Sequence, residues 1–477
     1  MLGFCIFTAK NIELMIGRQQ EIAELNRIRD SKDSEFVMVY GRRRVGKTFL
    51  IREFFEHRFT FYCTGIAKGT KEEELMNFRN EIFRCDETVG ANHPKTWMEA
   101  FDMLYKLIEK STDERKVIFL DEVPWMYTQK SDFVKALEHF WNSRISARKD
   151  VILIVCGSAA SWMVKKIVNN KGGLHNRITL KLKLRPFTLH ETKEYLNSRD
   201  IHWDDKTMAE CYMVMGGIPY YLKLLDRSLS LSQNIDRLFF RDSALLEDEF
   251  ENLYSSLFRN SKDYIKIVEI LSRKKSGYAR EEIIKGGKFN DGGGLTEKLE
   301  DLEQCDFIRR YNAVGSAKNI YQLTDFYTLF YFQFIKKRKT FDDDSWMHLS
   351  GKPATNTWKG LAFERLCMAH LPEIKKVLGI SGVSTNSFSY YSADAQVDLV
   401  IERGDRVVNV CEMKYYDGEF VISSEYSRQL SQKIQSLKSV MKKKYTYMVV
   451  MLTVDGVRRN EHYYSSVQRD ILLEELF

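Results

Sequence analysis

FVMVYGRRRVGKTFLIREFF, residues 36–55, is the stretch on which the fold turns. Residues 36–40 are short, apolar and rich in β-formers, the pattern of a strand buried on both faces in a parallel sheet covered by helices. The next eight residues, Gly41, Arg42, Arg43, Arg44, Val45, Gly46, Lys47 and Thr48, match G-x-x-x-x-G-K-[ST]. A helical run follows at once. Strand, glycine loop and helix in that order are the setting this motif requires. Backbone N–H groups of the loop wrap a β-phosphate, and the helix N-terminus adds its dipole. Lys47 reaches the β- and γ-phosphates, and Thr48 offers a hydroxyl to Mg²⁺. ATP and Mg²⁺ are the expected cofactors.

Two further apolar runs lie downstream. VIFL at 117–120 ends in Asp121 and Glu122, and VILIV at 151–155 leads through Cys156 and Gly157 to Ser158. Between them, Phe133, Leu137, Phe140 and Trp141 recur at helical spacing. Strands alternating with helices predict a three-layer α/β domain. A buried strand would deliver Asp121 to the magnesium shell, with Glu122 placed to polarise an attacking water. Ser158 reads equally as a γ-phosphate sensor and as a small residue at a strand-to-loop corner.

Composition bounds the rest. A chain of 477 residues predicts about three domains at roughly 100–200 residues each. With 44% apolar and 29% charged residues it is globular rather than disordered. Lys+Arg 73 against Asp+Glu 66 leaves +7, a mild surplus that permits a nucleic-acid partner without establishing one. The eight cysteines are scattered without a C-x-x-C pair, as expected of reduced thiols in a cytoplasmic protein. No H-x-x-x-H spacing supports zinc. No apolar run approaches the ~18 residues of a membrane span, so no membrane partner is expected. The first residues lack the basic start of a signal peptide. Met15 opens MIGRQQEIAEL, and translation is expected to begin there rather than at Met1.

Five features occur in one order: Gly17-Arg18-x-x-Glu21, the 41–48 loop, Asp121-Glu122, Gly157-Ser158 and Gly216-Gly217-Ile218-Pro219. Together they resemble the prokaryotic AAA+/STAND-type P-loop ATPases called archaeal-type ATPases, over residues 15 to about 225. The resemblance implies that Gly17, Arg18 and Pro219 flank the adenine. Read by itself, Pro219 after two glycines is equally a helix-breaking turn. Arg177 sits where those relatives carry an arginine before the last strand, and reads either as an arginine finger or as a surface arginine.

Residues 261–335 read as helix, glycine turn, helix and hairpin, which resembles a winged helix-turn-helix. From 259 to 339 there are 17 Lys+Arg and 11 Asp+Glu, and 17 − 11 leaves six positive charges. Lys274, Lys275, Arg280, Lys285 and Lys288 are candidates for phosphate contacts. The presumed recognition helix at 295–302, however, carries Glu297, Glu300, Asp301 and, just beyond it, Glu303, which would repel DNA. A protein-contacting role stays open.

The C-terminal stretch starts with a helix bearing Glu364 and continues in strand-like runs at 397–402, 407–414 and 445–452. Asp398 and Glu412 are separated by 13 residues, and Lys414 follows in E-x-K. This is the signature of the PD-(D/E)XK restriction-endonuclease-like fold. At adjoining strand ends Asp398 and Glu412 would hold a divalent metal through hard oxygens. Lys414, on the same strand face as Glu412, would position water or stabilise the phosphorane. Glu364 would complete the set. Tyr415, Tyr416 and Gln429 are candidates to line the cleft.

The expected plan is a P-loop ATPase core at 15–187, a helical lid at 188–260, a winged helix at 261–335, a linker at 336–355 and a nuclease-like α/β domain at 356–477. The whole order resembles prokaryotic ATPases carrying the C-terminal domain of unknown function of archaeal ATPases. It implies an ATPase acting on DNA whose nucleotide state controls a metal-dependent nuclease-like domain. The alternative is a STAND-like switch, forming a homo-oligomer or engaging a protein partner, with a non-cleaving C-terminal platform.

Overall fold

The computed structural model describes residues 15–477 except 129–130, 170–172, 175, 259, 313–317, 339–344, 393 and 442. The segment before Met15 and part of the predicted linker therefore lie outside the described residues. Two compact units make up the chain, one running to Pro186 and the other taking in nearly everything from Phe187 onward.

The first unit is built on five strands, β1 (Glu35–Tyr40), β2 (Phe61–Thr64), β3 (Lys116–Asp121), β4 (Val151–Gly157) and β5 (Leu180–Lys183). Their order is β2-β3-β4-β1-β5, and every neighbouring pair is parallel. All residues of β3 and β4 are buried, as central strands covered on both faces must be. The sequence predicted β1, β3 and β4. It did not single out β2 and β5, which are only four residues long. In β5, Leu180 and Leu182 alternate with Lys181 and Lys183, the half-exposed pattern of an edge. Against the sheet lies an aromatic core in which Phe101 stacks on Phe140 at 5.0 Å and Trp97 meets Phe133 edge-on at 4.8 Å.

The second unit opens with helices Leu189–Asn197, Asp205–Met215 and Pro219–Lys223. Next come helices Ser261–Leu271, Arg280–Gly287 and Gly293–Gln304, together with β6 (Tyr278–Ala279), β7 (Ile308–Asn312) and β8 (Asn319–Leu323). These three strands form an antiparallel sheet in the order β6-β8-β7. The last part has helix Pro353–Ala369, then β9 (Thr385–Tyr391), β10 (Gln396–Arg403) and β11 (Val407–Lys414). Helix Ser424–Val440, β12 (Thr446–Thr453) and β13 (Arg469–Leu472) complete it. The sheet order is β13-β12-β11-β10-β9, antiparallel through β9–β11 and parallel through β11–β13. No helix among the described residues is long and apolar enough to cross a membrane.

Two details differ from the sequence reading. Within 336–355, Trp346 and Thr355 are anchored in the second unit, while Lys336, Lys337 and Met347 are exposed. Trp346 is 3% exposed, its N–H donates to Asp236 Oδ1 at 2.6 Å, and its ring packs with Phe330, Phe334 and Trp358. Charge blocks and a Gly-Lys-Pro turn suggested a linker, but one buried tryptophan outweighs them. Second, β9 and β13 were not expected, since neither carries the continuous apolar run of β10–β12.

Candidate functional site

The loop between β1 and helix Lys47–Phe54 is shaped by two glycines. Gly41 has φ 148°, and a Cβ there would lie 2.2 Å from the Leu184 carbonyl oxygen. Gly46, at φ 91°, is the left-handed residue before the helix, a conformation that favours glycine. The helix buries Lys47, Leu50, Ile51 and Phe54, spaced as one face of a helix. Lys47 is thereby anchored at the first turn with its ammonium held in the loop.

Lys47 Nζ donates to the Arg42 carbonyl and to Ser158 Oγ, both at 2.9 Å. Thr48 Oγ1 donates to Asp121 Oδ2 at 2.8 Å. Asp121 lies at the end of β3 and its Oδ1 accepts the Glu122 N–H at 3.0 Å. Burial, and then the neighbouring Glu122 charge, pushes the Asp121 carboxyl above its ordinary range. Glu122 itself sits at φ 48°, a left-handed position unusual for a side-chain-bearing residue. That turn brings its carboxylate to the end of β4, where the Ser158 N–H donates to Oε2 at 3.1 Å and the Ser158 hydroxyl donates to Oε1 at 2.5 Å. Ser158 thus joins Lys47 to Glu122 through a single hydroxyl.

The other loop residues serve the frame. Arg18, at φ 65°, directs its guanidinium to the carbonyls of Val45 at 3.2 Å and Arg185 at 2.8 Å, with Glu21 at 3.6 Å. Gly17 precedes it with φ 69°. Arg42 and Val45 are buried, and Arg43 and Arg44 are half-buried. Arg177 is exposed. Pro219 begins its helix in the second unit, and Gly217 before it stands where a Cβ would meet the Phe187 carbonyl oxygen at 2.3 Å. The Gly216-Gly217 pair is accounted for by that turn.

A second group of charged residues gathers in the C-terminal sheet. The register Leu399↔Cys411 carries on to set Asp398 beside Glu412. Asp398 Oδ2 accepts the Met413 N–H at 3.1 Å, and Oδ1 accepts from Gln396 Nε2 at 3.2 Å. Glu364 reaches the same place from helix Pro353–Ala369. Lys275 Nζ bridges the two carboxylates, at 2.5 Å from Glu364 Oε1 and 3.2 Å from Asp398 Oδ1. Burial, then the Asp398 charge, pushes the Glu364 carboxyl up to about 7 despite Lys275. Glu412 is fully buried, with Oε2 accepting from Lys433 at 2.6 Å and Tyr426 at 3.2 Å and lying 3.9 Å from Lys414 Nζ. Burial and the Asp398 charge raise its pKa as well.

The four residues named from the sequence therefore form a chain of neighbours, Glu364 to Asp398 through Lys275, Asp398 beside Glu412, and Glu412 3.9 Å from Lys414. Asp398 and Glu412, with a Glu412 Oε1 that has no hydrogen-bond partner among the described residues, fit a hard divalent cation as a pair. No three His, Cys, Asp or Glu side chains among the described residues cluster tightly enough to hold one alone. Further ligands would be water or substrate oxygens.

Sequence reading missed Lys433 and Tyr426. They stand seven apart on helix Ser424–Val440, a helical i, i+7 spacing that marks one face. Lys275 was read as a phosphate contact, and it faces carboxylates instead. Lys274 and Arg280 are also paired, with Glu282 at 3.1 Å and Asp291 at 2.9 Å. Lys285 and Lys288 are exposed, as are Glu297 and Glu300. Of the cleft candidates, Tyr415 donates to Glu210 in helix Asp205–Met215, while Tyr416 and Gln429 are exposed.

Comparisons with known proteins cover the part of the chain that holds the first of these groups. Residues 15–225 match the family described as an ATPase domain predominantly from Archaea. The uncharacterized protein MJECL04 of Methanocaldococcus jannaschii is 25% identical over 410 residues, covering 85% of this chain and 88% of that protein. The uncharacterized ATP-binding protein MJ0423 of the same organism is 38% identical over 47 residues, 10% of this chain and 80% of that one. Among solved structures, the Walker-type ATPase paby2304 of Pyrococcus abyssi aligns with a TM-score of 0.51 at 17% identity, covering 67% of this chain and 97% of that one. The first unit thus shares an α/β fold, with a parallel five-stranded sheet and a glycine loop, with that Walker-type ATPase. Residues 15–225 are similar to an ATPase domain found predominantly in Archaea.

Proposed function

We propose that the protein hydrolyses ATP at the 41–48 loop and that its nucleotide state governs a C-terminal nuclease-like domain acting on DNA. One observation carries the first part: Lys47, Ser158 and Glu122 form a continuous hydrogen-bonded chain beside the Thr48–Asp121 pair. Lys47 meets the β- and γ-phosphates, and Glu122 accepts the proton of the attacking water. Ser158 orients Glu122 and links it to the phosphate-binding lysine. Thr48 and Asp121 would hold Mg²⁺, which when bound would supply positive charge beside the phosphate oxygens. Gly17 and Arg18 are assigned to the adenine end by family likeness, and Arg177 is the candidate arginine finger. Replacing Glu122→Gln is expected to lower ATP turnover by about 10²–10⁴-fold while nucleotide binding persists. Unchanged turnover would refute the assignment.

The second part is supported by Asp398 beside Glu412, with Glu364 and Lys414 at the same place. A divalent cation held by the two carboxylates would supply Lewis-acid chemistry on a phosphodiester. Lys414 would stabilise negative charge on the phosphate. The test is metal-dependent cleavage of DNA with and without ATP. Wild type and the Asp398→Ala and Lys414→Ala variants behaving alike would overturn the nuclease reading. A second reading, a STAND-like switch with a non-cleaving platform, is favoured by the Lys275 ammonium lodged between Glu364 and Asp398. It predicts ATP-dependent oligomers in size-exclusion chromatography and no cleavage.

A further inference from the structure

The second unit contains a cavity of about 610 Å³ that the readings above do not use. Its walls come from helices Ser261–Leu271 and Pro353–Ala369 and from segment 326–337. The lining is strongly cationic: Arg273, Lys275, Lys336, Lys337 and Arg365 face it, against one carboxylate, Glu269. Glu269 is already engaged twice, by Arg273 at 3.2 Å and by Lys336 at 2.8 Å. Among the described residues no carboxylate lies within ion-pair distance of Arg365 or Lys337, although Glu364 acts on Arg365 electrostatically from farther away. The Arg365 guanidinium donates to the Lys275 carbonyl at 3.0 Å, and Lys337 donates to Gln333 Oε1 at 3.0 Å. A guanidinium has five N–H donors, so Arg365 retains most of its fork for a ligand. Trp358 and Leu361 supply an apolar wall.

We infer that this cavity binds a nucleoside 5′-phosphate, with the phosphate on Arg365 and Lys337 and the nucleoside against Trp358 and Leu361. Three features select that chemistry. A phosphomonoester carries close to two negative charges at neutral pH, matching the two cations that have no ion-paired carboxylate. The planar guanidinium fork suits bidentate phosphate recognition. The volume lies in the range of small-ligand pockets, far too small for a duplex and larger than a bare phosphate needs. Such a group comes either from a free mononucleotide or from the 5′ end of a nucleic-acid strand. Lys275 also lines the cavity, and its ammonium is the one that bridges Glu364 and Asp398.

The experiment is isothermal titration calorimetry on the full chain carrying Lys47→Ala, which removes the phosphate-binding lysine of the 41–48 loop. The probes are dAMP, a 5′-phosphorylated deoxytetranucleotide, the same tetranucleotide with a 5′-hydroxyl, and deoxyadenosine. One-to-one binding is expected for a phosphorylated probe and not for its unphosphorylated counterpart. Binding of dAMP points to a free nucleotide, and binding of the phosphorylated tetranucleotide alone points to a strand end. Arg365→Gln and Lys337→Gln should each weaken the affinity about tenfold, the effect of losing one charge-assisted contact. Lys337 is exposed, so its variant tests the site even if Arg365→Gln impairs folding. The inference is overturned if neither phosphorylated probe binds, if the 5′-phosphate makes no difference, or if Lys337→Gln binds as tightly as its parent.

Discussion

Replacing Lys275→Met removes the cation that lies 2.5 Å from Glu364 and 3.2 Å from Asp398 without removing the bulk of the side chain. The side chains of Lys275, Glu364 and Asp398 are 23%, 16% and 6% exposed, so the group lies between a surface ion pair and a fully buried one. Breaking a buried pair costs about 3–5 kcal/mol and an exposed one about 0–1 kcal/mol, which places this change near 2 kcal/mol. The loss depends on pH, and its sign follows from Glu364. Its carboxyl stands at about 7 in the fold against an ordinary 4.5, a gap corresponding to about 3 kcal/mol. The folded state therefore holds the proton more tightly than the unfolded chain does. Stability from this group is full below pH 4.5 and falls as pH rises through 7. Without Lys275 the folded pKa moves higher still, so the variant should lag wild type most at pH 8 and least near pH 5. For domains of about 200 residues, 2 kcal/mol corresponds to a drop of about 4–8 °C in the thermal midpoint. Melting curves of the full chain at the two pH values read this directly. An equal drop at pH 5 and pH 8, or none at either, would refute the reasoning.

Other expectations concern the ATPase domain and one buried histidine. Ser158→Ala removes the hydroxyl between Lys47 and Glu122 and should lower ATP turnover about tenfold or more, with a smaller effect on ATP affinity, measured by steady-state hydrolysis and nucleotide titration. Gly41→Ala would set a Cβ 2.2 Å from the Leu184 carbonyl at φ 148°, and should destabilise the first unit by about 2–4 kcal/mol, read by chemical denaturation. His370 is 1% exposed, accepts the Leu189 N–H on Nε2 at 2.8 Å and has Nδ1 2.8 Å from the Leu366 carbonyl. Burial lowers its pKa below 6.5, so stability from the neutral ring is present above pH 6.5 and declines as pH falls below the folded value. In His370→Gln that acid-side decline should be reduced when thermal midpoints are compared between pH 7 and pH 5.

The first site was almost wholly legible in the amino-acid sequence. Each of its residues lies at a strand end or in the adjoining loop, and a continuous apolar run such as 117–120 announces its own strand and the polar residues that close it. The short strands β2 and β5 were not legible, because four residues of mixed character carry little periodic signal. The C-terminal group was legible in part. Asp398, Glu412 and Lys414 follow from strand alternation, and Glu364 from its helix. Their counter-ions were not. Lys433 and Tyr426 lie on a helix beyond the motif, and Lys275 lies 123 residues before Asp398.

Local pattern by itself thus determined the 41–48 glycine loop, its lysine, its threonine and the two acids that close β3. These chemistries need only neighbours along the chain, a glycine's backbone freedom and a buried strand. Tertiary structure decided which charges oppose one another. It turned Lys275 from a surface cation into the partner of two carboxylates, and made Ser158 the link between Lys47 and Glu122. It also gathered five cations around one cavity. The physical reason is that a charge's role depends on distance and on the water left around it, and both appear only when segments far apart in sequence pack together.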